Sequence, residues 1–167
     1  MSHLHIPDGV LPWSVWAPAW LLALLVLVGA ALAARRATPQ QVAWRGTLGA
    51  LVLAAMALEL PLGPLDYHLS LLGVLGALTG PAAAFEVLFV VAAILAFAGR
   101  GGLTVIGLNA LVLGAGAAVG RPVHRTLAPR IGAARSLAVA AAAAQAVAGA
   151  AWVGVMLLCL SRVSFGG

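Results

Sequence analysis

No charge interrupts the chain between residues 17 and 34, and similar runs, uncharged or nearly so, recur as far as residue 160, each closed by Arg or by a Gly/Pro cluster. A helix needs about 20 mostly apolar residues to cross roughly 30 Å of hydrocarbon, where every backbone polar group must be satisfied inside the membrane. Repeated runs of this kind confine the chain to an all-α membrane protein. Composition agrees: 63% of the 167 residues are hydrophobic and 8% charged, against about 45–50% and about 25% in soluble domains.

The spacing predicts a single transmembrane domain over 1–167, a compact bundle of about six helices. The first run, about 17–34, stops at Arg35-Arg36, and the second, about 42–60, ends at Glu59 and the helix-breaking Pro61, Gly63 and Pro64. Residues 68–98 as one helix would be about 45 Å long, too long for a single crossing without strong tilt. Gly80-Pro81 divides it, predicting helices at about 68–79 and 81–98. Two more follow at about 103–120 and, Ala-rich, at about 136–160. Six crossings put Arg35 to Arg45 and the Arg121, Arg125, Arg130, Arg135 connection on one face, cytoplasmic by the positive-inside rule. The amino terminus, the 61–67 connection and the 99–102 connection then share the outer face. No basic region precedes the first span, so the terminus reads as retained, with Met1 either kept or trimmed.

Several function classes fall away. All nine basic residues are Arg, so no phosphate-binding loop ending in Gly-Lys-Ser/Thr is present. The Arg sit in short clusters between spans, unlike a nucleic-acid surface. Cys159 has no second Cys for a disulfide or thiolate cluster. A hydrolase of the His-Glu-x-x-His type is also absent from the sequence.

Polar chemistry gathers at the outer face. Pro7-Asp8-Gly9 is turn chemistry, with Asp8 bonding the local backbone, and predicts a terminus folded back onto the bundle. His3 and His5 precede that turn, and topology brings His68 to the same region. Neutral imidazole suits Ni, Co, Cu and Zn, and a chain-terminal amine with a nearby His favours square-planar Ni(II) or Cu(II). Hydrated or hydrogen-bonding histidines are the alternative. Glu59 is either an acceptor orienting a His ring or an interfacial carboxylate. Asn109, inside a span, must find a hydrogen bond on a neighbouring helix or loop. Glu86 falls toward the cytoplasmic half of its helix, where an Arg is the natural partner. Trp13, Trp16 and Trp20 fit an interfacial belt, and His124 reads as an ordinary loop residue.

Three stretches resemble one family. His5-Ile6-Pro7-Asp8-Gly9-Val10-Leu11 looks like the amino-terminal signature of the CbiM/NikM substrate-binding S components of cobalt and nickel energy-coupling-factor transporters. His68 followed by Leu78-Thr79-Gly80-Pro81, and Gly101-Gly102-Leu103-Thr104 running to Asn109, agree with that family in order and spacing. The resemblance implies a non-enzymatic subunit that binds Co2+ or Ni2+ as cargo, with no cofactor. It implies as partners a transmembrane coupling (T) component, two cytoplasmic ATPase subunits and, as an optional addition, a small accessory membrane subunit. Cobalamin synthesis or a nickel enzyme would receive the metal. Carried over, the ligands are nitrogens of the terminus (Met1 or Ser2), His3 or His5, and His68, with Asn109 fixing the terminal loop. The family usually begins Met-His, whereas Ser2-His3-Leu4 stand ahead of the motif here, so His5 matches by motif and His3 by distance from the terminus. An S component for an organic micronutrient, which would call for a richer aromatic and polar lining, and a membrane-embedded metalloenzyme are the alternatives.

Overall fold

The computed structural model describes residues 8–9, 11–62, 65–68 and 70–164, with backbone alone for 59–62, 65–68 and 161–164. Seven helices and one hairpin occur in order: α1 (Trp13–Ala34), α2 (Pro39–Ala57), β1 (Glu59–Leu62), β2 (Leu65–His68), α3 (Leu72–Thr79), α4 (Pro81–Phe97), α5 (Ile106–Ala118), α6 (Gly120–Ile131) and α7 (Ala133–Ser164). Only Val119 separates α5 from α6, so 106–131 is one nearly continuous helical run. Counted that way, the described residues hold six helical segments in an all-α membrane bundle. Three helices, Trp13–Ala34, Ile106–Ile131 and Ala133–Leu160, are long and apolar enough to span a membrane, and α4 is a shorter apolar helix.

Local chemistry explains the helix boundaries. Thr38 caps α2 in a reciprocal box: its hydroxyl accepts from the Gln41 amide while the Gln41 side chain accepts from the Thr38 amide. Pro39 then fills a first-turn position, where its missing donor costs nothing. Gly80, at φ 86°, closes α3 and opens α4, with Pro81 as the first residue of α4. A side chain at Gly80 would strain the left-handed backbone and also strike the Arg121 guanidinium, 2.7 Å from the place a Cβ would occupy.

Two expectations are corrected. Residues 121–135, read as an Arg-bearing connection, are mostly helix: α6 runs to Ile131 and α7 starts at Ala133, across Gly132 at φ 85°. The segment is amphipathic, with Arg125 and Arg130 exposed and Val123 and Leu127 half-buried. His124 is accordingly helical, its ring Nδ1 lying 2.8 Å from the hydroxyl of fully buried Ser136. The connection after α2 is an antiparallel hairpin, pairing Glu59 with His68, Leu60 with Tyr67, Pro61 with Asp66 and Leu62 with Leu65. The expected span 42–60 is displaced three residues toward the amino terminus, to Pro39–Ala57, and 68–79 shortens to Leu72–Thr79 as a result.

The core is built on close backbone approach, the means by which helices associate in lipid. At α3, only about 12 Å long, a Cβ on Gly73 would fall 2.1 Å from the Ala140 carbonyl oxygen, and one on Gly76 would fall 1.9 Å from that of Ala117. The short helix is thus clamped between α5 and α7. Leu72, Leu75, Leu88 and Leu113 fill the centre, and Phe85 lies over Gly114. Buried Ser70 donates to the Gln145 side chain, tying the chain ahead of α3 to α7.

Helix direction sorts the bundle into two ends. Arg35, Arg36, Arg45, Arg121, Arg125, Arg130 and Arg135 gather at one end with Glu86, whose carboxylate accepts from Arg45 Nη1 at 3.4 Å. The start of α1, the hairpin and the 98–105 connection share the other.

Candidate functional site

At the Arg-poor end the connection from α4 to α5 is a clasp. The two Asp8 carboxylate oxygens divide the work: Oδ2 accepts from the Leu103 amide at 2.8 Å, and Oδ1 from the Thr104 amide at 2.8 Å and the Thr104 hydroxyl at 2.5 Å. Gly9, at φ 81°, completes the turn that aims Asp8 at this loop. The carboxylate fits because residue 102 is Gly. A Cβ there would lie 2.6 Å from the Asp8 amide nitrogen and 2.7 Å from Asp8 Oδ1.

The same loop reaches two further elements. Trp20 of α1 donates its indole N–H to the Thr104 carbonyl at 2.6 Å, and its backbone passes against Gly107 of α5. Arg100 donates to the carbonyl of Ala57, the last residue of α2, at 2.9 Å. One eight-residue connection therefore fixes the turn at Asp8, the start of α1 and the end of α2 from which the hairpin springs. Asn109, 2% exposed, stands in α5 just beyond Thr104, its backbone N–H donating to the Val105 carbonyl.

Of the other site candidates, Met1, Ser2, His3 and His5 lie outside the described residues. Glu59 and His68 are described by backbone, and they face one another as the outermost pair of the hairpin ladder, where opposed Cα atoms lie about 4.5–5.5 Å apart. Asp8 is brought to Leu103 and Thr104, 95 and 96 residues away in sequence. Trp20, read from the sequence as a membrane anchor, is also a hydrogen-bond donor to the clasp. Thr104 stands in a motif stretch without an assigned role and Arg100 carries no signal by itself, since each acts through a partner that only the fold supplies.

The Thr104 hydroxyl, then the Thr104 and Leu103 amides, hold the Asp8 carboxyl below its ordinary value of 3.8. A depressed folded-state value means that the clasp contributes its full stability above pH 3.8 and loses it as pH falls through that lower value. Acidification from pH 7 to pH 5 is therefore expected to leave the clasp intact, and release to follow only below about pH 4. Limited proteolysis ahead of Asp8, followed across that range, measures it.

The family model for the cobalt uptake substrate-specific transmembrane region, CbiM, matches residues 5–166. The chain belongs to the CbiM family. As a CbiM-family protein it is a multi-pass membrane component of metal transport. Two solved structures share its fold: a truncated transition metal transporter, 23% identical, with a TM-score of 0.79 over 88% of this chain and 71% of that one, and a transition metal transporter, 23% identical, with a TM-score of 0.78 over 88% and 67%. No curated protein matches it. In this CbiM-family chain the family match opens at His5, at the head of the His-Ile-Pro-Asp-Gly motif.

Proposed function

We propose that the chain is the substrate-binding subunit of an energy-coupling-factor importer for Co2+ or Ni2+, capturing the cation at the Arg-poor end of the bundle. The observation that carries this reading is the grip of Leu103 and Thr104 on Asp8. It pins the turn that succeeds His3 and His5 to the end of the bundle where the hairpin carries His68. A terminal amine, a backbone amide and imidazoles form a nitrogen-rich set suited to these ions. The ligands in this proposal are Met1 or Ser2, His3 or His5, and His68, with Asn109 supporting the terminal loop. Glu59 pairs with His68 in the hairpin register and is included in the proposal as a residue of the same region.

The membrane is the prokaryotic inner membrane, with the amino terminus outside and the Arg-rich end in the cytoplasm. Energy comes from two separate ATPase subunits acting through a transmembrane coupling component, a division of labour that suits a chain without Lys. The purified full chain, exposed to equal concentrations of Co2+, Ni2+, Zn2+ and Mg2+ and then desalted, is expected to retain close to one Co2+ or Ni2+ per chain by elemental analysis. Retention of none of these ions, or of Mg2+ as readily as the others, overturns the assignment. Intact mass spectrometry of the same sample reports whether Met1 is present and so which residue offers the amine.

A further inference from the structure

At the Arg-rich end, α1 and α2 both pack on α4, and a groove of about 640 Å³ runs between them. Small residues on α1 and α2, among them Ala31, Gly46 and Ala50, form its sides, Val87, Val90 and Ile94 of α4 add a branched apolar wall, and its inner end carries Arg35, Arg45 and Glu86. Along α2 the groove extends from Val42 to Leu53, roughly 17 Å at 1.5 Å per residue. That is close to half of the roughly 30 Å hydrocarbon thickness, the depth of one leaflet. An extended acyl chain of one leaflet matches that length.

A second recess, about 150 Å³, adjoins the inner end of the groove. Ala34 and Arg45 line both, and Thr79, Gly80 and Arg121 complete the smaller one. Glu86 is satisfied by Arg45; among the described residues, neither Arg35 nor Arg121 has an ion-pair partner. Glu86 is also the only one of the chain's four acids at this end, against seven Arg, because Asp8, Glu59 and Asp66 belong to the other. A one-leaflet apolar groove that opens at its polar end into an arginine-lined recess is the shape and charge of a phospholipid site.

We infer that the groove and recess bind one anionic diacyl phospholipid of the leaflet facing the Arg-rich end. One acyl chain lies between α1 and α2, and the phosphate meets Arg35 and Arg121. The site stands apart from the Asp8 clasp and does not depend on the cargo assigned above.

Native mass spectrometry of the full chain tests it, using detergent-purified protein and an equimolar mixture of phosphatidylglycerol and phosphatidylcholine with the same acyl chains. One phosphatidylglycerol per chain is expected to be retained, in at least about fivefold preference. Arg35→Gln and Arg121→Gln are each expected to reduce that preference by about fivefold, the contribution of one basic residue near a membrane surface. Ala50→Trp, at an exposed wall of the groove, is expected to reduce retention of both lipids while the melting temperature in detergent holds. Equal retention of the two lipids, a preference unchanged in both Arg variants, or a second copy or membrane helix occupying the groove in place of lipid would overturn the proposal. Metal content measured on the same Arg variants should equal that of the parent chain, so failure here is separable from failure of the metal assignment.

Discussion

Replacing His68 by Ala is expected to lower Co2+ and Ni2+ retention more than about 100-fold, since outer-shell partners alone are worth about 10–100-fold in metal affinity and a direct ligand exceeds them. His68 ends β2 and pairs in register with Glu59, so loss of the imidazole leaves the hairpin backbone ladder in place. The bundle should melt as before while cobalt uptake by cells carrying the transporter disappears. Equilibrium dialysis and uptake measured side by side make the comparison, and normal values for both in His68→Ala would remove the metal assignment. The same measurement decides the terminal register. Of His3→Ala and His5→Ala, the variant that reproduces the His68→Ala loss identifies the ligand, and the other should change affinity severalfold at most.

Gly102→Ala is the second large effect, and it acts at a distance from any nitrogen ligand. The added methyl would stand 2.6 Å from the Asp8 amide nitrogen and 2.7 Å from Asp8 Oδ1 and from a Val105 methyl. Either the Asp8 segment or the Val105 side chain must move. Val105 is 1% exposed and cannot yield cheaply, so Asp8 is displaced and its bonds to Leu103 and Thr104 go with it. Metal affinity is expected to drop about 10–100-fold, as for loss of a support that orients a ligand. Asp8→Asn retains the size of the side chain but removes the charge that strengthens those bonds, and should fall between the parent chain and Gly102→Ala. Thr104→Ser keeps both donors and should bind metal normally. Parent-like affinity in Gly102→Ala would show that the clasp does not support the site.

The features that the sequence discloses and those it conceals divide along a physical line. Properties carried by neighbours in the chain are legible. The apolar runs announce a membrane bundle, Gly80-Pro81 announces the break between α3 and α4, and Pro7-Asp8-Gly9 announces a turn that folds the terminus back. Glu86 calls for an Arg, and Arg45 supplies it.

Properties that need two distant partners are not legible. The stretch from Gly101 to Asn109 points to the terminal loop only through a family resemblance and does not single out Asp8 as the partner of Thr104, and nothing around Trp20 marks it as a donor to that connection. The pairing of 59–62 with 65–68 is hidden behind Pro61, Gly63 and Pro64, which correctly signal the end of a helix but do not specify a hairpin beyond it. Helix α6 reads as a connection because its Arg and Pro residues lower the local hydropathy. Its apolar face is narrow, and only packing against α3 and α7 reveals it.

The bond from Asp8 to Thr104 spans 96 residues, and that separation sets a timetable for biogenesis. At about 5–20 residues per second, a ribosome needs roughly 5–20 s to make the intervening chain. Throughout that interval the turn at Asp8 has nowhere to dock, although α1, α2 and α4 already exist. A nascent chain halted before residue 104 would lack the clasp, which becomes available only after most of the protein has entered the bilayer.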